Sequence, residues 1–348
     1  MKTIHLGHDF FGAGNLGDDF MLAGFLGALA ASGRKAELTG CVPHPLGPLA
    51  RRFPQVRWLP SEPASRRQAV EQCDIWLGLG GSPFQCEVSG WFADHLAEQE
   101  ALCAAAKKPM YFLGIGGQDP AAYAAPGLRR AAERAEAIWT RDERTAAALT
   151  AILPGRPVRS AADLAHVFFA ASAPPPAASD RVAAALNFDY RGWPGLESAV
   201  AALMQLPARE RIWLAQEARA LPGAEQWLLG QLAPGARAAW TLCVPDQPGQ
   251  PLASALARWP SAEWLLASRF HATLAGAWAG SRTVVLATND KLRGAAEECR
   301  FPCLPITASG AEITAAFAEA APTAPTALAL RAALARAACD EFFAAVGA

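Results

Sequence analysis

The stretch from Ser268 to Gly294 reads SRFHATLAGAWAGSRTVVLATNDKLRG and follows a short apolar run, Trp264 to Ala267. The apolar run predicts a strand, the Ala- and Leu-rich segment from Ala272 to Gly280 predicts a helix, and Thr283 to Ala287 predicts a second strand. A strand, a helix and a strand in this order form a βαβ unit, whose two strands are parallel. This unit predicts an open α/β sheet.

Polar side chains follow both strands of this unit, at the point where each strand ends. Arg269 and His271 follow the first strand, and Asn289, Asp290 and Lys291 follow the second. Ligands of open α/β sheets bind beyond the carboxyl ends of the strands, and the free N–H groups at the start of the following helix attract anions. The unit therefore predicts a binding site for a small, strongly anionic molecule.

The same alternation extends over most of the 348 residues. We predict strands at 2–7, 36–42, 56–59, 74–79, 110–115, 137–140, 183–188, 211–215, 238–243, 263–267, 283–287 and 303–306. We predict helices at 20–31, 46–53, 64–73, 91–107, 121–136, 143–152 and 325–345. Alternation of this kind predicts parallel strands with helices on both faces of the sheet.

A proline-rich segment at 171–180 divides the chain into two similar halves. We therefore predict an α/β protein with two doubly wound, Rossmann-like domains, residues 1–172 and 173–322, that face each other across a cleft. Residues 323–348 form a C-terminal helix that could cross back onto the first domain.

Composition excludes several classes of function. The net charge of −1 argues against nucleic acid as a partner. The cysteines and histidines show no metal-ligand spacing, so we predict no metal. The N-terminus becomes polar too early for a secretory signal, and no apolar run reaches transmembrane length. With cysteines that we expect to be reduced, these features predict a cytoplasmic protein.

The loop from Gly12 to Gly17 satisfies G-x-G-x-x-G after the first strand. A nicotinamide dinucleotide is nevertheless disfavoured, because Asp18 and Asp19 in the first helical turn would repel a diphosphate. Two interpretations stay open. Asp18 could simply cap the helix, or Asn15, Gly17, Asp18 and Asp19 could bind the hydroxyl groups of a sugar.

Two further glycine-rich loops, Gly78 to Gln85 and Gly114 to Gln118, follow predicted strands. Their small residues could let a ligand approach the backbone, or they could be ordinary turns. The candidate ligand contacts in these loops are Gly80, Gly81, Ser82, Gln85 and Gly116.

Arg141 follows a strand where a helix begins, and it could either reach the cleft or pair with Asp142 or Glu143. Asp163 has the pattern of a structural cap or turn. A lone histidine is more often structural than catalytic, but His271 has Arg269 two residues before it and Lys291 one βα step later.

These motifs, in this order, resemble those of the polysaccharide pyruvyltransferase family. They are Gly14-Asn15-Leu16-Gly17-Asp18-Asp19, Arg141-Asp142-Glu143, Asp163-Leu164-Ala165, Arg269-Phe270-His271 and Lys291-Leu292-Arg293-Gly294. The resemblance implies a fold like that of the GT-B glycosyltransferases. The first domain would then be the acceptor side and the second the donor side. Ser82-Pro83 departs from the longer glycine run that is common in the family.

The resemblance also implies phosphoenolpyruvate as the donor, no further cofactor, and a saccharide of an exopolysaccharide or cell-wall polymer as the acceptor. A lipid-linked acceptor would bring the chain to a membrane surface. Arg141, Arg269, His271 and Lys291 match positions that the family uses for donor binding and catalysis. In the resulting ketal formation the three cations would hold phosphate and carboxylate, His271 would be the general acid and base, and Asp18 or Asp19 could activate the acceptor hydroxyl.

Two alternatives remain. One is a nucleotide-sugar glycosyltransferase of the same architecture, in which the basic cluster would hold a diphosphate. The other is a catalytically silent relative that binds saccharides.

Overall fold

A computed structural model of the protein describes residues 1–85, 91–117, 125–172, 174–188, 193 and 195–348. Within these ranges helices and strands alternate as predicted, and the strands pair in parallel in two separate sheets. The predicted α/β class with two doubly wound sheets is therefore confirmed. The domain boundary near residue 172 stays a prediction.

The first sheet has seven of the described strands: β1 (Lys2–Leu6), β2 (Ala36–Val42), β3 (Val56–Pro60), β4 (Ile75–Leu79), β5 (Met110–Ile115), β6 (Ala135–Thr140) and β7 (Val158–Ser160). Their spatial order is β3-β2-β1-β4-β5-β6-β7. Its helices are α1 (Leu16–Ala31), α2 (Leu46–Arg52), α3 (Pro63–Gln72), α4 (Trp91–Ala106), α5 (Pro126–Arg134), α6 (Glu143–Ile152) and α7 (Ala165–Ala171). The order reverses between β1 and β4, which makes their carboxyl ends a topological switch point.

The second sheet has six of the described strands: β8 (Arg181–Ala185), β9 (Glu210–Leu214), β10 (Thr241–Cys243), β11 (Trp264–Ala267), β12 (Arg282–Ala287) and β13 (Cys303–Pro305). Their order is β10-β9-β8-β11-β12-β13, which places a second switch point between β8 and β11. The helices are α8 (Leu196–Gln205), α9 (Glu225–Gln231), α10 (Pro234–Arg237), α11 (Leu252–Ala257), α12 (Phe270–Ala279), α13 (Asp290–Cys299) and α14 (Gly310–Glu319). Ala267 at the end of β11 pairs with Ala185 and Val285, so three strands end at the same edge.

Helices bury the central strands on both faces. All five residues of β4 are buried, as expected for a strand covered on both sides. One apolar core contains residues of both sheets, among them Leu6 and Phe20 from the first half and Leu265 and Phe270 from the second. This continuous core packs the two halves against each other.

The last helix, α15 (Pro325–Val346), returns to the first half of the chain. It packs on α1, α7 and β5. Phe342 is fully buried against Phe25 and Trp139, and Trp139 Nε1 donates a 2.9 Å hydrogen bond to Glu341. The predicted crossing of the C-terminal helix onto the first half is confirmed.

Several boundaries differ from the predictions for local physical reasons. Helix α1 begins at Leu16, four residues early, because the Asn15 side chain accepts a hydrogen bond from the backbone N–H of Gly17 and caps the helix. Helix α12 begins at Phe270, which places His271 in its first turn. The short elements β7 and α7 were not predicted, since three to seven residues carry too little periodicity.

Three predicted segments fall partly outside the described residues. They include Ala173 in the linker, residues 121–124 of a predicted helix, and Gln118. Within the described ranges, no helix combines the length and the apolar composition that crossing a bilayer requires.

Candidate functional site

A cavity of about 250 Å³ lies between the carboxyl ends of the two sheets, next to both switch points. We call it the donor cavity, after the donor that the sequence resemblance implies. Residues from the first half that line it are Phe10, Ala13, Asn15, Asp18, Met21, Gly81, Ser82, Gln85, Trp91, Phe92 and Arg141. Residues from the second half that line it are Gln216, Glu217, Arg219, Arg269, Phe270, His271 and Lys291. All four predicted catalytic residues are among them.

Arg269 and His271 are positioned by the junction of β11 and α12. Ser268 Oγ donates a 2.8 Å hydrogen bond to the carbonyl oxygen of Asn187 and accepts one from its N–H, which ties the ends of β11 and β8 together. His271 follows within the first helical turn and is 6% exposed. The histidine is therefore buried in the wall of a polar cavity, not in an apolar core.

Asp163 lies against His271 and can balance the charge of the imidazole when it is protonated. Asp163 Oδ1 is 3.5 Å from His271 Nε2, a long contact for a hydrogen bond. Burial lowers the pKa of His271, with Arg141 and Lys291 adding to the effect and Asp163 opposing it. Burial alone would raise the pKa of Asp163, but His271 and Arg141 hold that pKa below its usual value. Asp163 is therefore an ionised partner of the imidazole.

Arg141 approaches the same carboxylate from the first sheet. Its Nη1 is 3.4 Å from Asp163 Oδ2, and its Nη2 donates a 2.7 Å hydrogen bond to Ser82 Oγ. The guanidinium carbon lies 4.2 Å from the ring centroid of Phe270, within cation–π distance. The side chain is almost fully buried, and its Nε donates no hydrogen bond within the described residues. Arg141 is thus held rigidly beside His271.

The other two cations differ in how they are held. Arg269 donates two hydrogen bonds to the buried carboxylate of Glu225, at 2.9 and 3.1 Å. Burial raises the pKa of Glu225, and Arg269 opposes that shift. Lys291 lies in the first turn of α13, capped by Asn289, with its Nζ 6.0 Å from the Phe270 ring centroid. Much of the charge of Arg269 is thus balanced by Glu225.

Asp18, Asn15 and Gln216 form another part of the wall. Asn15 Nδ2 donates a 3.0 Å hydrogen bond to Asp18, and Asn15 Oδ1 accepts one of 2.8 Å from Gln216 Nε2. Burial and the charges of Asp19 and Glu217 raise the pKa of Asp18 to about 8, while Lys291 opposes the shift. At neutral pH Asp18 is therefore mostly a neutral acid that can donate a proton or a hydrogen bond.

Four predicted ligand contacts do not line the donor cavity. Asp19 points away from it and forms a buried ion pair with Arg52. Gly17 packs under the His271 ring, and Gly116 lies against Arg141, so neither position leaves room for a side chain. Gly80 packs against Met21 instead of a ligand. These four positions therefore lie beside the donor cavity without lining it.

Several lining or supporting residues were not predicted. Gln216 and Glu217 follow the end of β9 after one intervening residue. Arg269 was selected because polar residues just after a strand end lie near the ligand of an open α/β sheet, which we call the strand-exit rule. The same rule could have found Gln216 and Glu217. Asp163 accepts a 2.9 Å hydrogen bond from the N–H of Ala165, which is the predicted turn role, but its contacts with His271 and Arg141 were missed. The sequence gave no indication that Glu225 supports the site, since a single acidic residue in a helix is usually solvated.

No protein-family model matches the sequence, and no curated protein matches it. Solved structures do share its fold. The UDP-N-acetylglucosamine 2-epimerase of Rickettsia bellii has a TM-score of 0.62 at 10% identity, covering 99% of this chain and 95% of its own. The Neisseria meningitidis UDP-GlcNAc 2-epimerase bound to UDP-GlcNAc has a TM-score of 0.59 at 11% identity, covering 99% of both chains.

A third similar structure, HepE of Anabaena in complex with UDP-glucose, has a TM-score of 0.55 at 11% identity and covers 99% of this chain and 97% of its own. At such identities the likeness concerns the fold. It confirms the predicted GT-B-like architecture of two facing α/β halves.

Proposed function

We propose that the chain transfers a pyruvyl group from phosphoenolpyruvate to two hydroxyls of a saccharide. The observation that carries the proposal is the meeting of Arg141 and His271, from opposite halves of the chain, at the shared carboxylate of Asp163. Lys291 and Arg269 line the same small cavity. Its volume of about 250 Å³ is sufficient for a compact anion such as phosphoenolpyruvate.

Cations and imidazole have separate tasks in this reaction. Arg141 suits two-point contact with a carboxylate or phosphate, while Lys291 acts as a point charge. In the free protein the lowered pKa of His271 favours neutral imidazole at neutral pH. A bound trianionic or dianionic donor raises that pKa again, because it offsets the positive charges nearby. The imidazole therefore gains its proton when the donor is present.

The chemical steps follow from this proton. Imidazolium protonates the methylene carbon of phosphoenolpyruvate, and a saccharide hydroxyl adds to C2 with loss of its own proton to a base. The C2–O bond to phosphate then breaks and phosphate leaves. A second hydroxyl adds to C2, loses its proton, and closes the ketal. Overall, one hydroxyl proton ends on the methyl group and the other on phosphate.

Replacing His271 with Ala tests its role. A positioned acid or base contributes about 10²–10⁴-fold to the rate, so phosphate release from phosphoenolpyruvate with saccharide acceptors should fall by at least about 10²-fold. His44→Ala is a matched control, because His44 does not line the donor cavity. Wild-type turnover in H271A, with the same fold by circular dichroism, would remove the assignment.

A second candidate is an enzyme that acts on a nucleotide sugar. It is favoured by the fold, since structures of the same architecture were solved in complex with UDP-glucose and UDP-GlcNAc. Under this alternative the cluster of Arg141, Arg269 and Lys291 would hold the diphosphate.

Ligand-induced shifts of Tm separate the candidates. We expect phosphoenolpyruvate to stabilise the protein more than UDP or GDP, since binding to the folded state alone raises stability. Stabilisation by UDP but not by phosphoenolpyruvate would reject pyruvyl transfer in favour of the nucleotide sugar. Saccharide binding without any phosphate release would instead indicate a silent relative.

A further inference from the structure

A second cavity of about 280 Å³ adjoins the donor cavity. We call it the side cavity. The two cavities share two lining residues, Ala13 and Arg219, and the side cavity is further lined by Gly12 and Gly14. Because the loop between the cavities consists of Gly12, Ala13 and Gly14, no large side chain of that loop separates them.

The wall of the side cavity combines apolar surface with a carboxylate. Pro48, Leu49 and Pro248 provide apolar surface. Asp246 Oδ1 accepts a hydrogen bond from Arg52. No hydrogen bond from the described residues reaches its second oxygen, Oδ2, and Asp246 lines the cavity. The cavity therefore offers apolar contact surface together with a hydrogen-bond acceptor.

The charge of the side cavity distinguishes it from the donor cavity. The guanidinium of Arg52 is buried and donates to Asp19, Asp246 and the backbone, so it is already neutralised. Arg219 is paired with Glu217 through two hydrogen bonds, at 2.7 and 3.1 Å. Both arginines that line the side cavity are therefore balanced by carboxylates, and a phosphate group bound there would face the Asp246 carboxylate. The chemistry therefore fits a neutral, hydroxyl-rich ligand with an apolar face.

We propose that the side cavity is the acceptor subsite and binds one neutral pyranose residue. Its C–H face would lie on the prolines and Leu49, and one hydroxyl would donate to Asp246 Oδ2. The sugar would then face the donor cavity across Ala13, on the side where Asp18 is located. This assignment rests on the proposed transfer to a saccharide.

The test uses the full chain, with methyl pyranosides of glucose, galactose and mannose as probes. Pro248 is exposed, so Pro248→Trp fills the cavity mouth without disturbing a core. Gln247→Trp is the matched control: it places the same side chain one residue earlier, on an exposed residue that does not line the cavity. Binding is measured by saturation-transfer difference NMR, and Tm is measured with and without phosphoenolpyruvate.

We expect at least one pyranoside to bind wild type and Q247W with similar affinity, and to bind P248W about tenfold more weakly or worse, a loss of about 1.4 kcal/mol. Phosphoenolpyruvate should stabilise all three proteins alike. Unchanged pyranoside binding in P248W, or no binding to wild type by any of the three, would overturn the proposal. The proposal would also be overturned if P248W lost UDP binding but still bound the pyranosides. If phosphoenolpyruvate does not stabilise the protein but a pyranoside binds as expected, the result counts against the donor assignment only. The pyranoside binding then decides the role of the side cavity.

Discussion

Replacing Gly17 with Ala tests whether the position of the His271 ring controls the reaction. A Cβ at residue 17 would lie 2.7 Å from His271 Cγ, nearer still to Nδ1, and 3.0 Å from Gln216 Nε2. Ordinary contact begins at 3.4 Å, so the Nδ1 side of the ring must retreat by more than about 1 Å. Gly17 has no positive φ, so the effect arises from this contact and not from the backbone. A misplacement on the order of 1 Å can cost about 10²-fold in rate.

The assay is phosphate release from phosphoenolpyruvate with a saccharide acceptor. We expect kcat/KM of G17A to fall about 100-fold, which corresponds to about 2.7 kcal/mol of transition-state stabilisation. Overpacking should also lower the stability by about 1–3 kcal/mol. The NMR chemical shift of the His271 ring gives a readout that does not depend on the donor.

Gly27→Ala is the matched control in the same helix. Gly27 is exposed, and a Cβ there meets nothing within 4 Å. Alanine at that position should stabilise the helix by about 0.5–1 kcal/mol and leave turnover unchanged. Wild-type kcat/KM in G17A, or an equal loss in G27A, would refute the argument that the ring is positioned by the space at residue 17.

Three further predictions concern buried charges. Asp163→Asn removes the counter-charge of the buried Arg141 and should cost about 3 kcal/mol or more in urea unfolding at pH 7. Because folding lowers the pKa of Asp163, its contribution is present at neutral pH and is lost as the pH falls below about 4; a pH-independent difference from wild type would contradict this. For Asp18 the sign is opposite: folding raises its pKa to about 8, so the contribution of Asp18 to stability should decline as pH rises from about 4 to about 8. Asp18→Asn should flatten that decline, and identical pH profiles would reject the shift. Arg52→Met leaves two buried carboxylates without their partner and should cost about 3–5 kcal/mol. The exposed neighbour variant Arg51→Met should change stability by no more than about 0.5 kcal/mol, and equal losses in both would exclude a special role for the buried pair.

The strand-exit rule predicted much of the site. Arg141, Arg269, His271 and Lys291 each follow a strand within a few residues, and all four line the donor cavity. The rule works because parallel strands of one sheet end at the same edge, and the donor cavity lies where these edges of the two sheets face each other. Asn15 and Asp18, which also line the cavity, were predicted instead from the glycine-rich loop after β1.

The rule could not assign the individual roles within a loop. Asp18 and Asp19 are adjacent in sequence, yet one lines the donor cavity and the other pairs with Arg52. Neighbouring residues in a helical turn point about 100° apart, and which direction faces the cleft depends on how the helix packs. The sequence offers no measure of that packing.

Local pattern in the sequence was sufficient for the alternation of strands and helices, the parallel sheets and the last helix, because periodicity and strand propensity are properties of short segments. The pairing of Asp163 with His271 and Arg141 was decided only by the tertiary structure, as was the raised pKa of Asp18. These features depend on distances between side chains from different segments and on their removal from water. Both quantities arise only when the two halves of the chain pack together.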